Sequence, residues 1–160
     1  MKHTVLVVED EQDTADLLKR VLEREGFSVL QAKDGRQASA LIGTVRPPSL
    51  VLLDLVVPYV SGPEVLKLLR HHPDWKNIPV IVVSADNYEP DIQRALSEGA
   101  TAYVTKQKGS VGLLQAIKRL LAAAPAQGQM VAKVASAAPR KGRVSMRRRL
   151  QSNQRKKRAA

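Results

Sequence analysis

The sequence predicts a three-layer α/β domain, a parallel sheet covered by helices on both faces, followed by a cationic extension. Three observations carry this. Short apolar runs rich in Val, Ile and Leu recur five times between Thr4 and Thr105, and each is separated from the next by apolar residues at helical spacing. The central runs are continuous rather than alternating, as expected of strands with both faces buried. Charge is segregated along the chain. Residues 1–121 hold 15 Lys or Arg against 15 Asp or Glu, whereas residues 122–160 hold 11 Lys or Arg and no acid, so the net charge of +11 belongs to the tail.

Thr4 to Val8 reads as the first strand, and it opens onto Glu9, Asp10 and Glu11. A nucleotide-binding turn would place glycines and free backbone N–H groups here; three carboxylates repel a phosphate unless a cation intervenes, which points to a metal. Asp13 is expected to cap a helix carrying Leu17, Leu18, Val21 and Leu22, which Gly26 stops. Phe27 to Ala32 forms a second strand. Asp34-Gly35 then turns into a short helix with Ala38, Leu41 and Ile42, broken by Arg46-Pro47-Pro48. Leu50 to Leu53 forms the third strand, with Asp54 at its carboxyl end, the edge at which open α/β sheets bind ligands.

After that strand Pro58 and Gly62 shape a loop, and Pro63 suits the first position of a helix bearing Val65, Leu66 and Leu69. His71, His72, Asp74 and Trp75 read as a solvated helix end, because the paired histidines lack a third ligand at metal spacing. Tyr59, Trp75 and Tyr88 are expected to be surface or loop aromatics. Pro79 to Val83 is a fourth buried strand ending at Ser84 and Ala85, followed by a helix with Ile92, Ala95 and Leu96 that stops at Gly99. A short fifth strand, Ala102 to Thr105, carries Tyr103 and ends at Lys106. Ser110 is placed to cap a last helix with Val111, Leu114, Ile117, Leu120 and Leu121 on its apolar face.

No apolar run approaches the ~20 residues of a membrane span, and MKHTVLVVEDE turns acidic too early for a signal peptide, so a cytoplasmic protein is expected. Without cysteine, disulfides, thiolate catalysis and cysteine metal sites are excluded. The composition divides the chain into a domain over residues 1–121, an Ala/Pro/Gln-rich linker over 122–139 and a basic disordered tail over 140–160.

Every strand but the second thus ends in a polar or reactive side chain: Glu9 and Asp10, Asp54, Ser84 and Lys106. Carboxylates converging on one sheet edge repel one another by roughly 3 kcal/mol per pair at ~5 Å, so a counter-charge is required. A hard divalent cation such as Mg²⁺, helped by Lys106, is the simplest one. Such a set can pass a phosphoryl group to a carboxylate, with Asp54 as nucleophile and the Ser84 hydroxyl bonding the product.

In VLVVEDE, LLDLVVP, VVSA and GATAYVTK, four motifs in order over residues 3 to 121, the chain resembles the receiver domains of two-component response regulators, chemotaxis-type single-domain proteins among them. The resemblance implies a five-stranded doubly wound sheet of flavodoxin-like order 2-1-3-4-5. It further implies that Asp54 accepts a phosphoryl group from a histidine kinase or phosphotransfer protein, and that Asp10, Asp54, the backbone carbonyl of Val56 and Glu9 hold Mg²⁺. Ser84 and Tyr103 would act as the switch, altering a partner face built by the fourth helix, fifth strand and fifth helix. A phosphoacceptor of this kind is a signalling protein, catalysing only its own phosphorylation and dephosphorylation. The family usually follows its lysine with a proline in a cis bond; here the residue is Gln107, and the ~2.5–4 kcal/mol cost of a non-proline cis bond predicts trans.

Two other classes are weighed against this. Haloacid dehalogenase-like phosphohydrolases need a second acid two residues after the nucleophile, and that position is Val56. A DNA-binding transcription factor would need a second folded module, whereas the tail has neither a helix-turn-helix pattern nor apolar periodicity. The tail could nonetheless associate with nucleic acid as a flexible polycation through Arg140, Lys141, Arg143, Arg147, Arg148, Arg149, Arg155, Lys156, Lys157 and Arg158, with salt-sensitive, sequence-blind affinity.

Overall fold

The computed structural model describes residues 2–122 apart from Asp86; the linker from residue 123 and the basic tail lie outside the described residues. Five parallel strands, β1 (Thr4–Val8), β2 (Ser28–Ala32), β3 (Leu50–Leu53), β4 (Val80–Ser84) and β5 (Ala102–Thr105), form one sheet of order β2-β1-β3-β4-β5. Between and after them run α1 (Gln12–Arg24), α2 (Gly35–Leu41), α3 (Gly62–His71), α4 (Glu89–Ser97) and α5 (Gly109–Ala122), with a 3₁₀ turn at Lys106–Lys108. This is the flavodoxin-like arrangement that the four motifs imply. Among the described residues no helix is long and apolar enough to cross a membrane.

The alternation of side chains along each strand divides the core into two layers. Leu6, Val8, Val51, Leu53, Val80, Val82 and Tyr103 face α2, α3 and α4, where they meet Ala38, Val65, Leu66, Leu69 and Ala95. Val5, Val7, Leu50, Leu52, Ile81, Val83, Ala102 and Val104 face α1 and α5, where they meet Leu18, Leu22, Leu113, Ala116 and Ile117. The β3 run is buried at every position, which is why it reads as continuous rather than alternating.

Helix starts are set by local chemistry. Ser61 and Glu64 form a reciprocal capping box at α3, each side chain taking the other residue's backbone N–H, and Asp34 accepts the Gln37 N–H at the start of α2. Several expectations are corrected here. The N-cap of α1 is Glu11, not Asp13, which lies in the first turn. Pro63 is the second residue of α3, after Gly62, and Ser110 lies inside α5, which begins at Gly109. Leu17 and Val111, read as parts of apolar faces, are exposed, because only the inner edge of each helix reaches the sheet.

Trp75 is the largest correction. It is 1% exposed and packs in the layer beneath α3, held by a chain reversal in which its N–H donates to the His72 carbonyl. His71 and His72 serve that same corner, His71 through its Nδ1 on the Lys67 carbonyl and His72 through its Nδ1, which accepts the Asp74 N–H. Arg70 braces it from inside, donating to the carbonyls of Lys76, Ile78 and Gly99.

Candidate functional site

The register of the sheet brings the site together. Val8 pairs with Leu53 at the ends of β1 and β3, so Glu9 and Asp54 leave neighbouring strands side by side, and the Asp54 N–H still donates to the Val8 carbonyl at 3.0 Å. Ser84 and Thr105 are paired at the ends of β4 and β5, and Lys106 follows immediately. The carboxyl edge therefore collects Glu9, Asp10, Asp54, Ser84 and Lys106. Glu9, Asp54 and Ser84 are buried, whereas Asp10 is exposed.

Lys106 is the hub. Its Nζ lies 2.9 Å from Asp54 Oδ2 and 2.9 Å from Glu9 Oε2, so one ammonium is shared by two buried carboxylates. The remaining Asp54 oxygen, Oδ1, accepts the Val56 N–H at 2.9 Å, and Glu9 Oε1 accepts the Glu11 N–H at 3.2 Å. Both acids are thus oriented by backbone donors as well as by the lysine.

The electrostatics follow from that crowding. Burial is the main reason that the Glu9 carboxyl titrates above its usual range; the Asp54 charge pushes the same way, while hydrogen bonds from Lys106 and Glu11 pull back. For Lys106, burial acts to lower the ammonium's pKa. The hydrogen bonds and charges of Glu9 and Asp54 outweigh it, and the net shift is upward.

Glu9, Asp10 and Asp54 each present a carboxylate oxygen, all within 4.8 Å of one another, the one such metal-capable cluster among the described residues. An all-oxygen donor set with excess negative charge fits a hard divalent cation rather than a soft metal. Val56 is the next residue but one after Asp54 and its side chain is exposed, leaving its backbone beside the acid. Tyr103 is buried in the α3/α4 layer at 5% exposure and pairs with Val82, two residues before Ser84. No cis peptide bond occurs among the described residues, so Lys106–Gln107 is trans as expected.

Three site-forming residues escaped the sequence reading as such. Gly35 and Gly62 pack backbone to backbone against the loop after β3: a Cβ at Gly35 would lie 1.6 Å from the Val60 carbonyl oxygen, and one at Gly62 2.5 Å from Leu55 Cα. Asp34-Gly35 was visible as a turn, but the close approach has no local signal. Arg36 places its guanidinium 3.9 Å above the Tyr59 ring, a contact across 23 positions of sequence that periodicity cannot reveal.

Comparison with known proteins gives a consistent result. Residues 5–118 match the family described as the response regulator receiver domain. The chain is 40% identical over 116 residues to the KDP operon transcriptional regulatory protein KdpE of Escherichia coli, a match that covers 72% of this chain and 49% of KdpE. It is 32% identical over 121 residues to the polar-differentiation response regulator DivK of Brucella anthropi, covering 76% of this chain and 98% of DivK. Among solved structures, the Francisella response regulator 1452 receiver domain superposes with a TM-score of 0.71 at 29% identity, covering 77% of this chain and 99% of that one. The chain spans about half the length of curated relatives of the KdpE kind.

Proposed function

The chain belongs to the response regulator receiver family, and from that membership we propose that it is the phosphoacceptor of a two-component relay, taking one phosphoryl group on Asp54 from a histidine kinase or phosphotransfer protein. The observation that carries this reading is the single ammonium of Lys106 held 2.9 Å from both Asp54 and Glu9, beside a third acid, Asp10. The carboxylate at this edge can act as nucleophile, while Lys106, with the cation that the acids would hold, supplies the countercharge that a phosphoryl group needs.

In the transfer an Asp54 oxygen attacks phosphorus as the N–P bond of the donor phosphohistidine breaks, and the electron pair of that bond returns to the imidazole nitrogen. Lys106 leaves its two carboxylates and follows a phosphoryl oxygen. The Ser84 hydroxyl, at the end of the adjoining strand, donates to another. Glu9, Asp10, Asp54 and the Val56 carbonyl would hold Mg²⁺, which supplies neutralisation of the phosphoryl oxygens in the transition state. Ser84 and Tyr103 lie on the strands next to α4, so their rearrangement is read by a partner on the α4–β5–α5 face. The protein turns over no separate substrate, and its place of action on this reading is the cytoplasm.

The experiment is incubation with a small acyl phosphate donor, resolved by intact mass. One phosphoryl group per chain is expected in the presence of Mg²⁺, and none after chelation or in Asp54→Asn. Uptake by Asp54→Asn equal to that of the wild type would place the acceptor elsewhere.

A further inference from the structure

We propose that Arg36 and Tyr59 are positioning residues for the divalent cation: they hold the loop after β3 so that the Val56 carbonyl stays where it can ligate. This rests on the phosphoacceptor reading above and deepens it.

The loop from Asp54 to Gly62 is pinned at both ends. At its start Val56 N–H is bound to Asp54 Oδ1, and at its close Gly62 N–H donates to the Leu55 carbonyl at 3.1 Å, with no room for a side chain at Gly62. Between them the chain makes a tight reversal. The Val60 N–H donates to the Pro58 carbonyl at 3.0 Å across Tyr59, whose φ is +70°. A three-residue turn centred on a positive φ is a rare and strained form, and Tyr59 is the only non-glycine residue at positive φ among the described residues.

Strain of this kind persists only where the surroundings over-determine it. Here the surroundings come from α2. The Gly35 N–H donates to the same Pro58 carbonyl at 3.1 Å, the absence of a Gly35 side chain lets Val60 sit against the helix, and the Arg36 guanidinium stacks 3.9 Å over the Tyr59 ring. Tyr59 is 73% exposed, so no core burial secures it. The cation–π contact is the side-chain grip that accompanies the two backbone bonds, and its target is a loop whose third residue is the ligand Val56.

Isothermal titration of the full, unphosphorylated chain with MgCl₂ tests this. Arg36→Ala and Tyr59→Gly should each weaken Mg²⁺ binding by about two- to fivefold, the range of an exposed cation–π contact. The double variant should be no weaker than either single one, because both remove the same contact. Tyr59→Phe keeps the ring and should bind as the wild type does. Glycine adopts φ +70° without penalty, so the urea midpoint of Tyr59→Gly should not fall, which separates positioning from folding. Wild-type affinity in both single variants, or losses that add in the double, would overturn the inference while leaving phosphorylation of Asp54 intact. A wild-type chain that bound no Mg²⁺ would overturn it together with the cation's part in the reading above, and intact-mass phosphorylation of the same samples tells the two failures apart.

Discussion

Replacing Lys106 with methionine removes the one cation shared by two buried carboxylates. Each unit-charge attraction at ~4 Å is worth about 4 kcal/mol at an effective dielectric near 20, and the desolvation of the ammonium opposes part of it. The two acids left behind repel each other across at most 4.8 Å, by about 3 kcal/mol on the same scale. The net loss expected in the absence of Mg²⁺ at pH 8 is therefore about 3 to 5 kcal/mol, the range for stranding a buried charge. Trp75, the single tryptophan and 1% exposed, reports unfolding by fluorescence. With a urea m-value of about 2 kcal/mol/M the midpoint should fall by about 1.5–2.5 M. The pH dependence has a definite sign. Glu9 titrates above 4.5 in the folded chain, so between the unfolded and folded values the native state binds more protons, and stability falls as pH rises through that window. Without Lys106 the folded value moves further up. The deficit of the variant should thus shrink as pH falls through that raised value and Glu9 takes a proton, and shrink again at pH 8 when Mg²⁺ is added. At the alkaline end, the raised Lys106 contributes stability that is complete below 10.5 and lost as pH climbs through its folded value, a limb that the methionine variant should lack. A variant as stable as wild type at pH 8 without metal, or a deficit indifferent to pH and Mg²⁺, would refute the shared-ammonium account.

Three further outcomes are expected. Gly35→Ala forces a methyl to within 1.6 Å of the Val60 carbonyl oxygen, and should lower the urea midpoint by an amount equivalent to about 3 kcal/mol or more while Gly26→Ala, at a position with open space, pays only the φ +89° penalty of ~1–2 kcal/mol. Arg70→Leu leaves the Lys76, Ile78 and Gly99 carbonyls without their donor, and should cost about 2–4 kcal/mol with exchange of nearby amides accelerated in hydrogen–deuterium measurements. If the cationic segment from Arg140 binds duplex DNA through about six phosphates, log K should fall against log salt with a slope near −5, and truncation after Leu121 should abolish the binding.

What could be read from the sequence is what parallel sheets write plainly. Buried strands appear as apolar runs, and a ligand edge appears as the polar residue that ends each run, so Glu9, Asp54, Ser84 and Lys106 were visible one strand at a time. Their convergence followed from the topology. Trp75 was hidden because its immediate neighbours, His71, His72, Asp74 and Lys76, are polar, and only the reversal at His72 carries the indole inward. Leu17 and Val111 mislead for the converse reason: helical spacing gives a stripe wider than the strip that actually touches the sheet. The Arg36–Tyr59 grip and the Gly35 and Gly62 approaches are tertiary contacts with no local period at all.

The position of Lys106 in the sheet has a mechanical consequence. It follows β5, an edge strand, yet its ammonium is bonded to the acids that follow β3 and β1, so the lysine stem and the carboxylate side chains together bridge the end of β4, with two interstrand steps, about 9.6 Å, between β5 and β3. Only a long unbranched stem makes that reach. A strand in the middle of the sheet is laced on both sides and cannot shift without tearing two ladders, whereas β5 is laced only to β4. The tether therefore ties the charged centre of the sheet's carboxyl edge to one of the sheet's two edge strands. On the proposed reading, a change in charge at Asp54 would alter the pull of Lys106 on that edge strand, which carries Tyr103.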